Sequence, residues 1–228
     1  MAGRSDSLFS MGSKAWVILA AAAAGLLLAG AALADKEQIH LTAAGQKAAR
    51  AAVLTRADVG TAPGWTSKTR KPDLSGNTNC ANFKPKQSDL VLNGVAEVEW
   101  SRPGLDLDSE AQVLQAAAMV KLDWQRTVLA PEVEPCLRSI FQKQSTSTAK
   151  FVSFSRLAFP AVGTYSRAYR ALVDYTQGST TVRVAVDLVL VGRGHTEITL
   201  TTTALLAAGP AVKNLEIRLA RALAARAF

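Results

Sequence analysis

Three stretches in the second half of the chain alternate apolar and polar residues so regularly that they leave little choice of fold. In Tyr165–Tyr175, the residues Tyr169, Ala171, Val173 and Tyr175 fall on one face. In Thr181–Val191, the residues Val182, Val184, Val186, Leu188 and Leu190 do the same, and in His195–Leu205 Ile198 and Leu200 point inward. A period of two is that of a strand with one buried face. The connectors, Gln177-Gly178 and Gly192-Arg193-Gly194, are short and carry glycine, which predicts hairpins. Phe151–Phe159, ending at Pro160, adds a further apolar strand. Consecutive hairpins build an antiparallel meander. Its second face carries polar residues such as Arg183, Asp187, Glu197 and Thr199, and is expected to be wet or to line a cleft.

Helical periodicity brackets this meander. Ala43–Leu54 reads as a helix with Thr42 as N-cap, and Thr55–Gly60 as one capped turn. Trp65–Thr69 reads as a strand, and residues 71–88, rich in Pro, Asp, Ser, Gly, Asn and Lys, as a loop. From Gly94, the residues Val95, Glu97 and Glu99 alternate with Ala96, Val98 and Trp100, a strand that Pro103-Gly104 ends. Asp108-Ser109 then resembles the cap of a long helix to about Leu129, with Val113, Leu114, Ala117, Ala118, Trp124 and Val128 as its stripe. Pro131 and Pro135 interrupt the chain, and Cys136 opens a short helix to about Lys143. Gly209-Pro210 starts a last helix, apolar at Val212, Leu215, Leu219, Ala222 and Leu223 and basic at Arg218, Arg221 and Arg226. The expected class is α+β: a central antiparallel sheet, a meander of C-terminal strands, packed by helices on its apolar face.

Residues 1–34 do not belong to this pattern. Arg4 and Lys14 precede an uncharged run from Ala15 to Ala34, which ends in the A-x-A sequence Ala32-Leu33-Ala34 before Asp35-Lys36-Glu37. That order predicts a secretory signal peptide. If uncleaved, its roughly 20 uncharged residues would serve as an N-terminal anchor. No Cys lies near the cleavage site to accept lipid. Residues 35–228 are then one extracytoplasmic domain, secreted or tethered to the outer face of the cytoplasmic membrane. A hydrophobic share of 49% with 19% charged residues excludes a disordered chain. The formal charge of +8 could draw the protein toward anionic surfaces such as lipid headgroups or acidic envelope polymers, or could be ordinary solubilising charge. No basic run with interleaved aromatics and no zinc-finger spacing points to nucleic acid.

Cys80 and Cys136 are the only cysteines, an even count in an oxidising compartment, and predict one disulfide. It would close a loop of about 57 residues, worth roughly 4 kcal/mol by chain entropy. Their flanks form neither C-x-x-C nor a nucleophile signature, and two Cys with the distant His40 and His195 lack zinc spacing. No metal and no cofactor is expected.

The sequence holds no phosphate loop, G-x-S-x-G, H-E-x-x-H or S-x-x-K. Glu97 and Glu99, two apart on a strand, share a face about 7 Å apart and have the spacing of an acid/base pair. The same spacing occurs on any solvent-facing strand. Arg170, Arg183 and Arg193 on neighbouring strands could form a platform for a carboxylate or phosphate, or could pair with Asp174, Asp187 and Glu197. Trp124 belongs to a helix stripe, whereas Trp65 and Trp100 sit near turns where they could rim a pocket.

The run Leu54-Thr55-Arg56-Ala57-Asp58-Val59-Gly60 ahead of Gly64-Trp65 is joined by a Cys in the next loop and Cys136 after the central helix. Phe159-Pro160-Ala161-Val162-Gly163, the strand Val182–Val191 with its Gly-x-Gly turn, and a last basic helix complete the set. In this order, over roughly residues 52–226, the chain resembles the extracytoplasmic sensor-domain-like proteins of actinobacteria, typified by the outer domain of PknH-type Ser/Thr kinases. That kinase's outer domain carries more cysteines. The resemblance implies a non-enzymatic α+β fold with a cleft used for ligand sensing or protein contact. The expected function is therefore a non-enzymatic domain of the cell envelope that binds a small molecule or an envelope protein. Arg170, Arg183, Arg193, Trp65 and Trp100 are its candidate ligand residues. Two other readings are a hydrolase acting on an envelope polymer through Glu97 and Glu99, and a basic membrane-peripheral structural protein.

Overall fold

In the computed structural model the described residues are 36–74, 80 and 82–227; the expected signal or anchor segment, residues 1–34, lies outside them. Strand β1 (Gln38–Ile39) leads into helix α1 (Ala43–Ala51), whose N-cap Thr42 accepts a hydrogen bond at Oγ1 from the Gly45 N–H at 3.0 Å. Helix α2 (Arg56–Val59) is a single turn, held where the Thr55 N–H donates to Asp58 Oδ2 at 2.7 Å. Strand β2 (Thr66–Arg70) follows, then β3 (Val91–Arg102) and β4 (Leu105–Leu114). Helix α3 (Ala117–Asp123) runs into a π-helical turn (Trp124–Val128), and α4 (Val133–Lys143) comes next. Strands β5 (Ala149–Arg156), β6 (Tyr165–Gln177), β7 (Thr180–Arg193) and β8 (Thr196–Leu205) precede α5 (Gly209–Arg226).

The strands form one eight-stranded sheet in the order β1-β3-β4-β8-β7-β6-β5, with β2 also on the outer edge of β3. Every pairing is antiparallel except β1 with β3. The meander β5-β6-β7-β8 stands as the alternation requires, turning at Gly178 (φ 59°) and Gly194 (φ 57°). These are left-handed positions where glycine carries no Cβ penalty.

The long helix expected from Asp108-Ser109 to about Leu129 does not form. Residues 105–114 are β4, and the helix is confined to Ala117–Asp123 with its π turn. Leu105, Leu107, Ser109, Ala111 and Val113 are buried, alternating with Asp106, Asp108, Glu110 and Gln112. This period of two, with a hydrogen-bonded neighbour on each side (β3 and β8), outweighs the cap-like Asp108-Ser109. Smaller corrections follow the same physics. Helix α4 begins at Val133, with Pro135 in its first turn, where a missing N–H leaves no bond unmade. Strand β5 ends at Arg156 rather than Phe159.

Helices cover both faces of the sheet rather than one. On the first face, α1, α2 and α5 close a core containing Ala49, Val189, Ile198, Leu200, Leu219 and Leu223. Each fully buried leucine contributes roughly 1.5–3 kcal/mol. Helix α1 crosses β3 at glycines, since a Cβ on Gly94 would fall 2.1 Å from the Gly45 carbonyl. On the second face, α4 packs Val133, Cys136 and Phe141 against Phe154, Tyr169, Val186 and Leu188. Helix α3 and the π turn set Val120 and Trp124 against Leu92 and Val95. Cys80 and Cys136 form the expected disulfide, their Cα atoms 5.5 Å apart. The polar residues assigned to one face divide between two. Asp187 is opposite Thr202 and lies under α5, while Glu197, opposite Gly192, projects to the other side with Thr199.

Candidate functional site

On the α3/α4 side the helices do not close down on the whole sheet, and a cavity of about 330 Å³ remains. That is within the size range of small-molecule sites. Its floor changes character across the strands. Leu188 and Leu190 on β7 neighbour Thr201 and Thr199 on β8, and Thr199 and Glu197 neighbour Glu110 and Gln112 on β4. Helix α4 supplies Val133 and Leu137 above the apolar part, and Trp124 and Val128 of the π turn form a side wall. Trp124 stacks on Tyr165 with ring centroids 5.3 Å apart. Its indole can lie there because position 192 is glycine: a Cβ would come within 2.6 Å of Trp124 Nε1.

The polar part is acidic. Glu37, Asp73, Glu110, Asp123 and Glu197 line the cavity, with Lys36 the one lining cation among the described residues. Glu197 lies against Asp123; burial first, then the charge of Asp123, pushes its pKa well above the usual carboxylate range. Its Oε1 is sealed from solvent with no N–H or hydroxyl donor, and its side-chain hydrogen bond is to the Asp123 carboxyl. Burial also raises Asp123 and Glu110, and raises Glu37 to about 7, helped by the charges of Asp123 and Glu110. The protonated forms of these groups are therefore favoured relative to those of exposed carboxylates. Nearby, Arg126 is held by Asp89 at 2.6 Å.

The acidic lining continues along β3 and β4 beyond the cavity. Glu97 and Glu99 do share a face with each other and with Asp106, Asp108 and Glu110. Glu99 accepts from Arg70 Nε at 2.7 Å. Burial raises Glu97, raises Asp108 to about 8 with the charge of Glu97 adding to it, and raises Asp106 to about 7 with that of Glu99. Among the described residues, no group of three or more His, Cys, Asp or Glu is arranged to hold a metal ion.

The residues nominated from sequence are scattered around other parts of the molecule. Arg170 donates to Asp187 at 2.6 and 2.5 Å beneath α5. Arg183 donates to Asp174 at 2.7 and 2.8 Å at the surface. Arg193 donates to the Ala224 carbonyl at 2.9 Å, tying α5 to the β7 end. Trp65 packs at the edge of the first core beneath the Arg102 guanidinium, and the buried Trp100 donates through Nε1 to the Leu54 carbonyl at 3.3 Å. None of the five lines the cavity. His195 is exposed with Nδ1 3.2 Å from the Gln115 carbonyl, and His40 is exposed. The cavity residues were legible only in pieces. Leu188 and Leu190 stand out as strand residues, but Glu37, Glu110, Asp123 and Glu197 come together only through the sheet order.

No family model matches the chain, and no curated protein does. Among solved structures it is similar to LpqN of Mycobacterium tuberculosis, described as involved in cell envelope biogenesis. The identity is 11%, covering 69% of this chain and 82% of that chain, with a TM-score of 0.30. A likeness of that size identifies no family and assigns no role to this chain. The disulfide fits an oxidising, extracytoplasmic location. No helix among the described residues is long and apolar enough to cross a membrane.

Proposed function

We propose that this chain is a non-enzymatic, sensor-domain-like binding protein of the cell envelope, whose ligand is a small molecule with an apolar part. The observation that carries the reading is the cavity itself: an apolar pocket under α4, preformed against a rigid sheet and joined to a polar wall. Preformed concave sites of this composition are where small molecules are held. The signal-peptide pattern and the disulfide support the compartment. The sensor-like resemblance of the motifs from Leu54 to the basic last helix supports a binding role rather than a reaction.

The other two readings draw less support from the geometry. Glu97 and Glu99 are outside the cavity lining, and Glu99 is engaged by Arg70. The basic helix α5 spends two of its arginines internally. Arg218 donates to the Asp58 carbonyl at 2.6 Å, and Arg226 donates to Asp58, Ala51 and Val53.

The test is titration with the neutral solvatochromic dye N-phenyl-1-naphthylamine. The expected result is a saturable rise in emission that Leu137→Trp, which fills the apolar end from α4, reduces at least tenfold while far-UV circular dichroism stays unchanged. A wild-type protein that binds no dye, or an unaltered response in a folded Leu137→Trp variant, would contradict the proposal.

A further inference from the structure

We propose, resting on the binding role above, that the cavity takes a cationic amphiphile, its ammonium group against Glu37, Asp123 and Glu197 and its hydrocarbon against Leu188, Leu190 and Val133. Three observations support this. The chain has 26 basic and 18 acidic residues, yet the cavity reverses that balance, with five carboxyl side chains against Lys36. Buried carboxyls are ordinarily retained only when paired. Here Glu197 shares its side-chain hydrogen bond with Asp123, a second carboxyl, rather than with a cation. The guanidinium of Arg126, whose charge reaches Asp123, is engaged by Asp89 in a two-point contact at 2.6 and 3.1 Å.

The floor adds the second requirement. One strand step separates the leucines of β7 from Thr199 and Glu197 on β8, so one short molecule can touch both. A bare metal ion would leave the apolar end empty, and an anionic lipid would find no lining cation but Lys36 to pair with among the described residues. An ammonium group at this wall supplies the positive charge that the carboxyl cluster lacks. In doing so it favours the ionised carboxylates, so binding releases protons. The groups that set this coupling are Lys36 and Glu37 ahead of β1, Asp73 after β2, Glu110 on β4, Asp123 ending α3 and Glu197 on β8. Ammonium affinity therefore rises with pH as these carboxyls lose their protons, until the amine itself deprotonates.

The experiment is displacement of N-phenyl-1-naphthylamine at pH 7.5 by four eight-carbon probes: octylammonium, octanol, octanoate and octyl glucoside. The expected result is that octylammonium competes at least tenfold more strongly than each of the others. Asp123→Asn and, separately, Glu37→Gln should bring it to within about threefold of octanol while leaving octanol unchanged. Calorimetry of octylammonium binding in two buffers of different ionisation enthalpy should show net proton release. If octanol or octyl glucoside competes as well as octylammonium, the cationic head group is refuted while the apolar site stands. If the dye binds and no probe displaces it, the amphiphile assignment fails. If the dye itself does not bind, the binding role fails with it.

Discussion

Glu216 offers a perturbation whose outcome follows from its position alone. Helix α5 carries it into the first core, where it is 0% exposed and hydrogen-bonds to the Asp187 carboxyl and the Thr202 hydroxyl. Beneath it, Asp187 is already engaged by Arg170. Burial, and then the charge of Asp187, raises Glu216 to about 8, against roughly 4.3 in an unfolded chain. The folded state therefore binds this proton more tightly than the unfolded state. Its contribution to stability is complete below about pH 4.3 and is lost as pH rises toward 8. At about 1.4 kcal/mol per unit, the loss between pH 5 and pH 8 is on the order of 3–4 kcal/mol. Glu216→Gln removes the ionisation and keeps the shape. Urea unfolding of wild type and variant at pH 5, 6.5 and 8 isolates Glu216 from the other buried carboxyls, because those remain in both proteins. The stability of the variant relative to wild type should climb by about 3–4 kcal/mol over that range. A relative stability that does not change with pH would refute the placement of a protonated Glu216 against Asp187.

Other expectations rest on separate contacts. Gly94→Ala should destabilise the fold by about 3 kcal/mol, measured by urea unfolding, because its Cβ would collide with the Gly45 backbone where α1 crosses β3. A near-neutral effect would mean that α1 does not approach so closely. Cys80→Ser with Cys136→Ser should cost roughly 4 kcal/mol, read as a lower urea midpoint that reduction of the wild type reproduces. Arg226→Ala should cost roughly 2 kcal/mol at pH 7, since it removes charged hydrogen bonds to the buried Asp58 and to two α1-end carbonyls. For Asp58, burial alone would raise the pKa, but Arg226 and Thr55 outweigh it and hold the group low. Its contribution is therefore present above the unfolded carboxylate pKa and fades as pH falls through the lower folded value. The Arg226→Ala penalty should shrink in acid unfolding series below pH 4.

What could be read from the sequence, and what could not, depends on how far apart the deciding residues are. Strands β6, β7 and β8 declare themselves because their alternation is local and their turns contain glycines that the backbone needs. The caps at Thr42 and Thr55 are equally local, and the cysteines pair because there are only two. Strand β4 was hidden because Asp108-Ser109 imitates an N-cap, and the alanines at 116–118 extend a helical look back into Val113-Leu114. Only the two flanking strands, β3 directly before it and β8 about 80 residues after it, show that Leu105–Leu114 is central. The arginines show the same limit. That Arg170 and Arg183 pair with Asp187 and Asp174 was one of two readings open from spacing, and the register of β6 on β7 brings those residues together. The acidic wall joins five segments that no window of sequence contains. Its extension along the sheet left a local trace in Glu97 and Glu99 on alternate positions, whereas the expected helix dispersed Asp106, Asp108 and Glu110.

The central claim is that ligand enters between α4, the π turn and β7, against the carboxyls of β8 and α3. Methyl-resolved NMR of the Leu/Val-labelled protein, titrated with octylammonium, tests it most directly. The account predicts saturable shifts at Leu188, Leu190, Val133, Leu137 and Val128, residues that line the cavity, with Leu219 and Leu223 on the buried face of α5 unmoved. Shifts centred on α5, or methyls of the cavity that stay fixed at saturating probe, would contradict it.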